Sequence, residues 1–162
     1  MIMTENLAYE LVTLARTRRI NLASAESCTG GLIGAAITSV PGSSDVFGYG
    51  FITYSNDAKR RLLGVREETL NKYGAVSKET AKEMALGALK VSGVDFSVAV
   101  TGIAGPGGGS IDKPVGLVFI AMADKKQSVS VKKLVLRGDR KEIRLQSVTE
   151  SLKFLLEAVE AY

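Results

Sequence analysis

Hydrophobic positions recur along this chain with two different periods. Near the amino terminus, Leu7, Leu11 and Leu14 are separated by four and three residues, which predicts an amphipathic helix over residues 4–18. Between residues 46 and 54, aromatic side chains occupy alternate positions, which predicts a strand with these aromatic residues on one face and Tyr54 on the other. The alternating aromatic residues are Phe47, Tyr49 and Phe51.

The remaining segments continue to alternate between strand and helix. Strands are predicted at residues 21–25, 96–100, 115–123 and 128–136, and helices at residues 29–37 and 67–72 and after the candidate caps Ser55 or Asn56, Ser77 and Asp139. The 115–123 segment is almost wholly apolar, as in a central strand, whereas the 128–136 segment carries two lysines and resembles an edge strand. Because the last strands follow each other closely, they are expected to pair antiparallel. The pattern predicts an α/β fold, a three-layer α/β/α sandwich around a mixed, mostly parallel sheet, in a single domain over residues 1–162.

The composition favours a cytoplasmic protein. Cys28 is the only cysteine, which excludes an intramolecular disulfide and fits a reducing compartment. No apolar run reaches the ~18 residues of a membrane span, and residues 1–19 lack the apolar core of a signal peptide, so no membrane contact is expected. The net charge is +4, but the basic residues are scattered and no aromatic residues interleave with them. Nucleic acid is therefore not an expected partner.

The chain contains no histidine. This absence excludes a Ser-His-Asp triad, a Cys-His pair and any zinc site built on histidine within the chain. Hydrolytic chemistry here must use serine, threonine, cysteine, tyrosine, lysine or carboxylates.

The first candidate site is the segment at residues 25–31, where a predicted strand ends and a helix begins. Ser27 would project from the carboxyl end of the sheet, where open α/β folds bind ligands. The amides that follow Thr29 would favour an anion, and Gly30 and Gly31 would let a ligand approach the backbone closely. A plain capped helix start is the competing interpretation. Cys28 could be a nucleophile instead, although an inert buried thiol is favoured.

The second candidate site joins Tyr54 to Lys59. Lys59 is predicted in the first turn of a helix, and the positive helix end together with Arg60 and Arg61 would disfavour a protonated ammonium. A lysine in that position could act as a base near neutral pH. The alternative is an exposed lysine on a basic turn, which describes most lysines.

Two further segments could bind an anion. The glycine-rich loop at residues 101–110, which includes Gly102 and Gly105, lies between two predicted strands, and its amides could hold phosphate or an oxyanion. It lacks the Gly-Lys-Ser/Thr of a Walker A loop, and a strand follows it where a dinucleotide fingerprint would need a helix. Arg140, at the start of the last helix, could bind phosphate through two donors. A flexible connector and a solvated arginine are the alternatives.

Taken together, these segments resemble the CinA carboxy-terminal domain family, the nicotinamide-nucleotide amidases. The resemblance covers nearly the whole chain and rests on motifs in the expected order: Ala-Glu-Ser-Cys-Thr-Gly-Gly (25–31), Thr-Tyr-Ser-Asn (53–56), Gly-Val (64–65), Gly-Ala-Val-Ser (74–77), Gly-Ile-Ala-Gly-Pro (102–106), Lys-Pro-Val-Gly (113–116) and Gly-Asp-Arg (138–140).

The resemblance implies an α/β/α sandwich that converts nicotinamide mononucleotide to nicotinic acid mononucleotide and ammonia, with no metal and no cofactor. It implies that Ser27 is the nucleophile, that Tyr54 and Lys59 handle its proton, and that Arg140 belongs to the site. It also implies a homodimer and a stand-alone form, because many relatives carry this domain behind a larger amino-terminal one. Gly107 departs from the family, since some relatives have aspartate there.

Two other functions are compatible with the sequence. A metal-dependent nucleotide phosphohydrolase could use Glu26, Asp45 and Asp57, although these carboxylates have no recognisable ligand spacing. A non-catalytic nucleotide-binding or regulatory module would bind the nucleotide and release no ammonia. An ammonia assay with and without chelator distinguishes all three.

Overall fold

The structure is a computed structural model that describes residues 2–162. The helices are α1 (Ile2–Arg18), α2 (Leu32–Thr38), α3 (Asn56–Leu63), α4 (Glu67–Tyr73), α5 (Lys78–Ser92) and α6 (Arg140–Ala161). The strands are β1 (Leu22–Glu26), β2 (Phe47–Ile52), β3 (Phe96–Gly102), β4 (Leu117–Asp124) and β5 (Val129–Val135), and a short 3₁₀ helix covers Ser43–Asp45. None of the helices in this part of the chain is long and apolar enough to cross a membrane.

The five strands form one mixed sheet in the order β2-β1-β3-β4-β5. Strand β1 pairs in parallel with both β2 and β3, whereas β4 pairs antiparallel with β3 and β5. This confirms the predicted mixed sheet and the antiparallel pairing of the last strands. The lysine-bearing β5 lies at an edge, as its sequence predicted.

Helices cover both faces of the sheet and bury two separate apolar clusters. On one face, α1, α2 and α6 pack against β1, β3 and β4 through residues such as Leu11, Ile33 and Leu155. On the other face, α5 packs on the sheet and contributes Met84 and Ala88 to the second apolar cluster. Leu63, at the end of α3, belongs to this cluster as well. The predicted three-layer α/β/α sandwich is therefore confirmed.

The aromatic residues of β2 do not share one face, so that prediction was wrong. The register between β1 and β2 shifts, since Leu22 pairs with Phe47 and the next residue, Ala23, pairs with Tyr49. The residue skipped by this bulge reverses the alternation. Phe47 consequently packs in the cluster under α2, whereas Phe51 packs in the cluster under α5 and stacks on Tyr49 at 6.2 Å between ring centroids.

Helix α2 begins three residues later than predicted. Residues 27–31 form a turn, and the helix starts at Leu32 after Gly31. Gly30 and Gly31 have φ angles of 57° and 103°, a left-handed conformation that glycine adopts without strain and that interrupts a right-handed helix. The consequence is an irregular turn, rather than a helix start, immediately after Ser27.

Helix α5 lies close against the end of α3 at Gly87. A Cβ atom at this position would lie 1.9 Å from the carbonyl oxygen of Leu63, the last residue of α3. We expect Gly87→Ala to lower the free energy of unfolding by about 1–3 kcal/mol, because the added methyl must push α3 away. Urea denaturation measures this change. The matched control is Gly48→Ala, where the new methyl would meet no atom within 4 Å, and equal effects of the two substitutions would contradict the close-packing argument.

Candidate active site

Ser27 lies directly after β1, at the carboxyl edge of the parallel part of the sheet. Its backbone amide donates to the carbonyl of Val100 on β3 at 3.0 Å, which holds the residue between two strands. The residue is 9% exposed, so its hydroxyl is largely shielded from bulk water. The left-handed glycines that follow turn the chain sharply into α2.

Lys59 is buried and bonded to the Ser27 hydroxyl. It lies in the first turns of α3, whose amino terminus is capped by the Ser55 hydroxyl, which accepts from the Ala58 amide at 3.0 Å. The residue is only 1% exposed. Its Nζ donates to the Thr53 carbonyl at 2.8 Å and lies 3.0 Å from Ser27 Oγ. The alternative of an exposed lysine on a basic turn is therefore excluded.

Burial lowers the pKa of Lys59 from its ordinary value of 10.5 to about 8. Desolvation disfavours the charged ammonium, which shifts the equilibrium towards the neutral amine. The sequence-based explanation, which invoked Arg60 and Arg61, was wrong about the cause. Arg61 donates to Asp57 at 3.0 Å, and Arg60 lies 3.9 Å from Glu67, so neighbouring carboxylates compensate both guanidinium charges.

Glu26 occupies the start of α2, where the sequence predicted a free anion site. Its buried carboxylate accepts from the amides of Ile33 and Gly34 at 2.8 and 3.0 Å and from the hydroxyl of Thr29 at 2.7 Å. These are the donors that a helix amino terminus would otherwise offer to a ligand. The prediction that a substrate anion binds at this helix start is therefore corrected, because a carboxylate of the chain already binds there.

Cys28 is 6% exposed, and burial raises the pKa of its thiol to about 11. A thiolate, the reactive form, is scarce at neutral pH under these conditions. The geometry agrees with the inert-thiol interpretation.

Ser27 and Lys59 lie at the bottom of a cleft of about 290 Å³. One wall is the glycine-rich loop, including Gly102 and Gly105, and its base is anchored by the Thr101 hydroxyl, which donates to the Ala75 carbonyl at 2.8 Å. The lining residues are Ser27, Cys28, Tyr54, Asn56, Lys59, Ala75, Val76, Thr101, Gly102, Ile103, Ala104, Gly105, Gly107, Gly108 and Arg140. No carboxylate is among them, so the cleft carries a net positive lining.

Tyr54 and Arg140 meet at the opening of the cleft. Arg140 begins α6, whose predicted cap Asp139 forms a capping box with Glu142. Its guanidinium donates to the Tyr54 hydroxyl at 3.0 Å and to the Gly105 carbonyl at 2.8 Å. Arg140 thus links the glycine-rich loop to Tyr54. Tyr54 is 61% exposed, which places this pair on the solvent side of the cleft.

The structure brings together most, but not all, of the residues singled out from the sequence. Three of them, Thr29, Gly30 and Gly31, lie outside the cleft lining. Thr29 is fully buried with its hydroxyl on Glu26, which explains why it faces the protein interior. The three carboxylates of the phosphohydrolase hypothesis do not converge either, since within residues 2–162 no group of three potential metal-binding side chains lies together.

Sequence reasoning missed Arg144. This residue donates from α6 to the carbonyls of Cys28 and Thr29 at 3.0 and 3.1 Å. It follows Arg140 by four residues, which places the two guanidinium groups on neighbouring turns of one helix face. That spacing was the available signal.

The fold and the cleft define an α/β/α protein with a buried serine–lysine pair at the carboxyl edge of a mixed sheet. The family model for the CinA C-terminal domain matches residues 4–159, and the chain belongs to this family. It superposes on the crystal structure of the competence/damage inducible protein CihA from Agrobacterium tumefaciens with a TM-score of 0.94 and 48% identity, covering 98% of this chain and 96% of that chain.

Two curated relatives differ in how much of their length they share with the chain. A CinA-like protein of Endomicrobium trichonymphae is 58% identical over 131 residues, which is 81% of this chain and 30% of that protein. A protein of Enterobacter agglomerans named nicotinamide-nucleotide amidohydrolase PncC is 54% identical over 132 residues, which is 82% of this chain and 80% of that protein. The chain also spans only 36% of a relative from Thermoanaerobacter sp. (strain X514), and so about a third of the length of several curated relatives.

Proposed function

We propose that this chain hydrolyses the carboxamide of nicotinamide mononucleotide to nicotinic acid mononucleotide and ammonia. The observation that carries the proposal is the 3.0 Å contact between Ser27 Oγ and the buried Nζ of Lys59 in a chain without histidine. The PncC-named relative, similar over most of both chains, supports the choice of substrate.

Lys59 acts as the direct base in this proposal. With a pKa of about 8, about one tenth of its amine is neutral at pH 7, which is enough to accept the Ser27 proton as attack begins. The Thr53 carbonyl orients Nζ before and after proton transfer. Tyr54 is bonded to Arg140, so we assign it to the cleft wall rather than to activating the hydroxyl.

The reaction then proceeds in two stages, acylation of Ser27 and hydrolysis of the acyl-enzyme. Ser27 Oγ bonds to the carboxamide carbon, its proton passes to Lys59, and the carbonyl oxygen becomes an oxyanion. Lys59 returns the proton to the nitrogen as the C–N bond breaks and ammonia leaves. Water, deprotonated by the same amine, then hydrolyses the ester to Ser27 and releases the carboxylate product.

The Cys28 amide is the oxyanion donor that the geometry favours. It belongs to the residue after the nucleophile, Cys28 is among the residues that line the cleft, and the amide donates to no other residue within residues 2–162. The Gly30 amide is excluded from this role because it already donates to the Ser27 carbonyl at 3.1 Å. The positively charged opening at Arg140 is suited to the substrate phosphate.

Incubation of the purified chain with nicotinamide mononucleotide tests the proposal directly. We expect equal amounts of ammonia and nicotinic acid mononucleotide, measured by enzymatic ammonia detection and by chromatography, both with and without chelator. Loss of activity with chelator would instead support the phosphohydrolase class. Nucleotide binding without ammonia release would support a regulatory module and contradict the proposal.

The pH dependence of kcat/KM is a second expected result. If the neutral amine of Lys59 is the base, kcat/KM should rise with pH, by about tenfold per unit well below its pKa, and level off above about pH 8. Initial rates between pH 6.5 and 9.5 measure this profile. A profile that falls over this range would show that the protonated ammonium is the active form.

A further inference from the structure

The backbone carbonyls of Ser27, Cys28 and Thr29, in the turn after β1, all accept hydrogen bonds. The Ser27 carbonyl accepts from the Gly30 amide at 3.1 Å, and the Cys28 carbonyl accepts from Arg144 Nε at 3.0 Å. The Thr29 carbonyl accepts from both Arg144 Nη2 and the Leu32 amide, each at 3.1 Å. A single guanidinium on α6 therefore binds two successive carbonyls of the turn that carries the nucleophile.

Two amides of the same turn, those of Cys28 and Thr29, donate to no other residue within residues 2–162. Because the C=O and N–H of a trans peptide point in opposite directions, anchoring the carbonyls also fixes where these amides point. Cys28 is held from one side by the Ser27–Gly30 bond and from the other by Arg144. The Cys28 amide shares its peptide plane with the Ser27 carbonyl, which the Gly30 amide holds, and the Gly30 amide shares its own plane with the Thr29 carbonyl that Arg144 binds. Arg144 therefore fixes the direction of the Cys28 amide through this chain of two peptide groups.

Arg144 also places a positive charge behind this turn. Arg144 and the buried carboxylate of Glu26 both bond to Thr29, and the field of the carboxylate alone would oppose a negative charge developing near Ser27. The electrostatic influence of Arg144 reaches the turn, because it acts to lower the pKa of the Cys28 thiol while Glu26 acts to raise it. Arg144 does not line the cleft, so it has no direct route to the substrate.

We propose that Arg144 is a positioning residue of the active site, which fixes the peptide groups after Ser27 so that the Cys28 amide receives the oxyanion. This inference rests on the proposed serine chemistry but not on the identity of the substrate. It predicts that removal of the guanidinium impairs formation of the tetrahedral anion more than it impairs binding of the nucleotide, because only the former uses the amide.

A small alkyl fluorophosphonate tests this role without the nucleotide. In this reaction the Ser27 Oγ–P bond forms, the P–F bond breaks, fluoride leaves, and Lys59 accepts the serine proton. We expect Arg144→Met to slow phosphonylation of Ser27 by about ten- to a hundred-fold, less than the roughly hundred- to thousand-fold loss when an oxyanion donor itself is removed, because the amide is displaced and not deleted. Arg144→Lys, which keeps the charge and one donor, should be slowed less. Intact-mass spectrometry gives the rates, and peptide mapping locates the label.

Arg137→Met is the matched control, because this exposed arginine lies just before α6. We expect it to be labelled at the wild-type rate. For nicotinamide mononucleotide, Arg144→Met should lower kcat and leave KM within about threefold. The thermal midpoint of each variant identifies any that fail to fold, in which case Arg144→Lys provides the comparison.

Three outcomes distinguish this inference from the proposed function. If folded Arg144→Met is labelled at the same rate as the wild type, the role of Arg144 alone is overturned. Where the methionine variant does not fold, the labelling rate of Arg144→Lys decides in the same way. Rapid labelling of the wild type without ammonia release would overturn the substrate proposal and leave the comparison of rates intact. No labelling of wild-type Ser27 would overturn both.

Discussion

Replacing Ser27 by alanine should reduce ammonia release from nicotinamide mononucleotide by about 10⁴- to 10⁶-fold, as loss of a serine nucleophile does elsewhere. No other group is placed to substitute for it. The Cys28 thiol is adjacent, but its pKa of about 11 leaves almost no thiolate at neutral pH. Lys59 is the base of the same step, and without the hydroxyl it has no side-chain nucleophile to activate. Ammonia release under initial-rate conditions provides the measurement.

The fold should survive this substitution, which makes the result interpretable. The backbone bond from the residue 27 amide to Val100 does not depend on the side chain, and Lys59 keeps its bond to the Thr53 carbonyl. Calorimetric titration should show that Ser27→Ala binds the nucleotide with an affinity near that of the wild type. Ser128→Ala, at an exposed position between β4 and β5, serves as the control. Turnover by Ser27→Ala above about 1% of the control would refute the nucleophile assignment.

Local sequence signals predicted the fold well because most of them report burial directly. The period of the apolar residues located α1 and the strands, and the caps Ser77 and Asp139 marked where α5 and α6 begin. The β2 bulge escaped prediction, because a single inserted residue, Gly48, reverses the faces without altering the aromatic alternation. The start of α2 was misplaced for a related reason, since the conformation of Gly30 and Gly31 depends on the bonds around them.

The site was less predictable because it depends on contacts between distant parts of the chain. Ser27 and Lys59 are 32 residues apart, and their contact arises only when β1 and β2 pair in parallel. A lysine is normally exposed, so no hydrophobic pattern indicates that Lys59 is buried. Glu26 likewise looked like an acidic neighbour of the nucleophile, and only the folded chain shows that its carboxylate fills the α2 amino terminus.

A buried amine that must lose its proton imposes a cost on the folded state. Between pH 8 and 10.5 the unfolded chain holds the Lys59 proton while the folded chain does not, so stability should rise with pH across this window. Below pH 8 both states are protonated and the full cost, about 3 kcal/mol, is present. Active sites commonly retain such unfavourable groups because the chemistry needs them.

Lys59→Met tests this cost and the base assignment in one variant. Methionine fills a similar volume without a charge, so ammonia release should fall to background while the pH-dependent penalty disappears. We expect the wild type to gain about 2 kcal/mol in unfolding free energy between pH 7 and 9.5 relative to Lys59→Met. The unpaired Thr53 carbonyl will lower the stability of the variant by a similar amount at both pH values, so it does not affect this difference.

Urea denaturation of wild type, Lys59→Met and the control Lys126→Met at pH 7 and 9.5 measures the effect. Lys126 is exposed in the turn between β4 and β5, so its removal should leave the wild-type pH dependence unchanged. If Lys59→Met and the wild type show the same change between the two pH values, the amine is not desolvated in the folded state. The neutral form of the Lys59 amine would then be rare at neutral pH, and the pH profile of turnover would have to originate from another group.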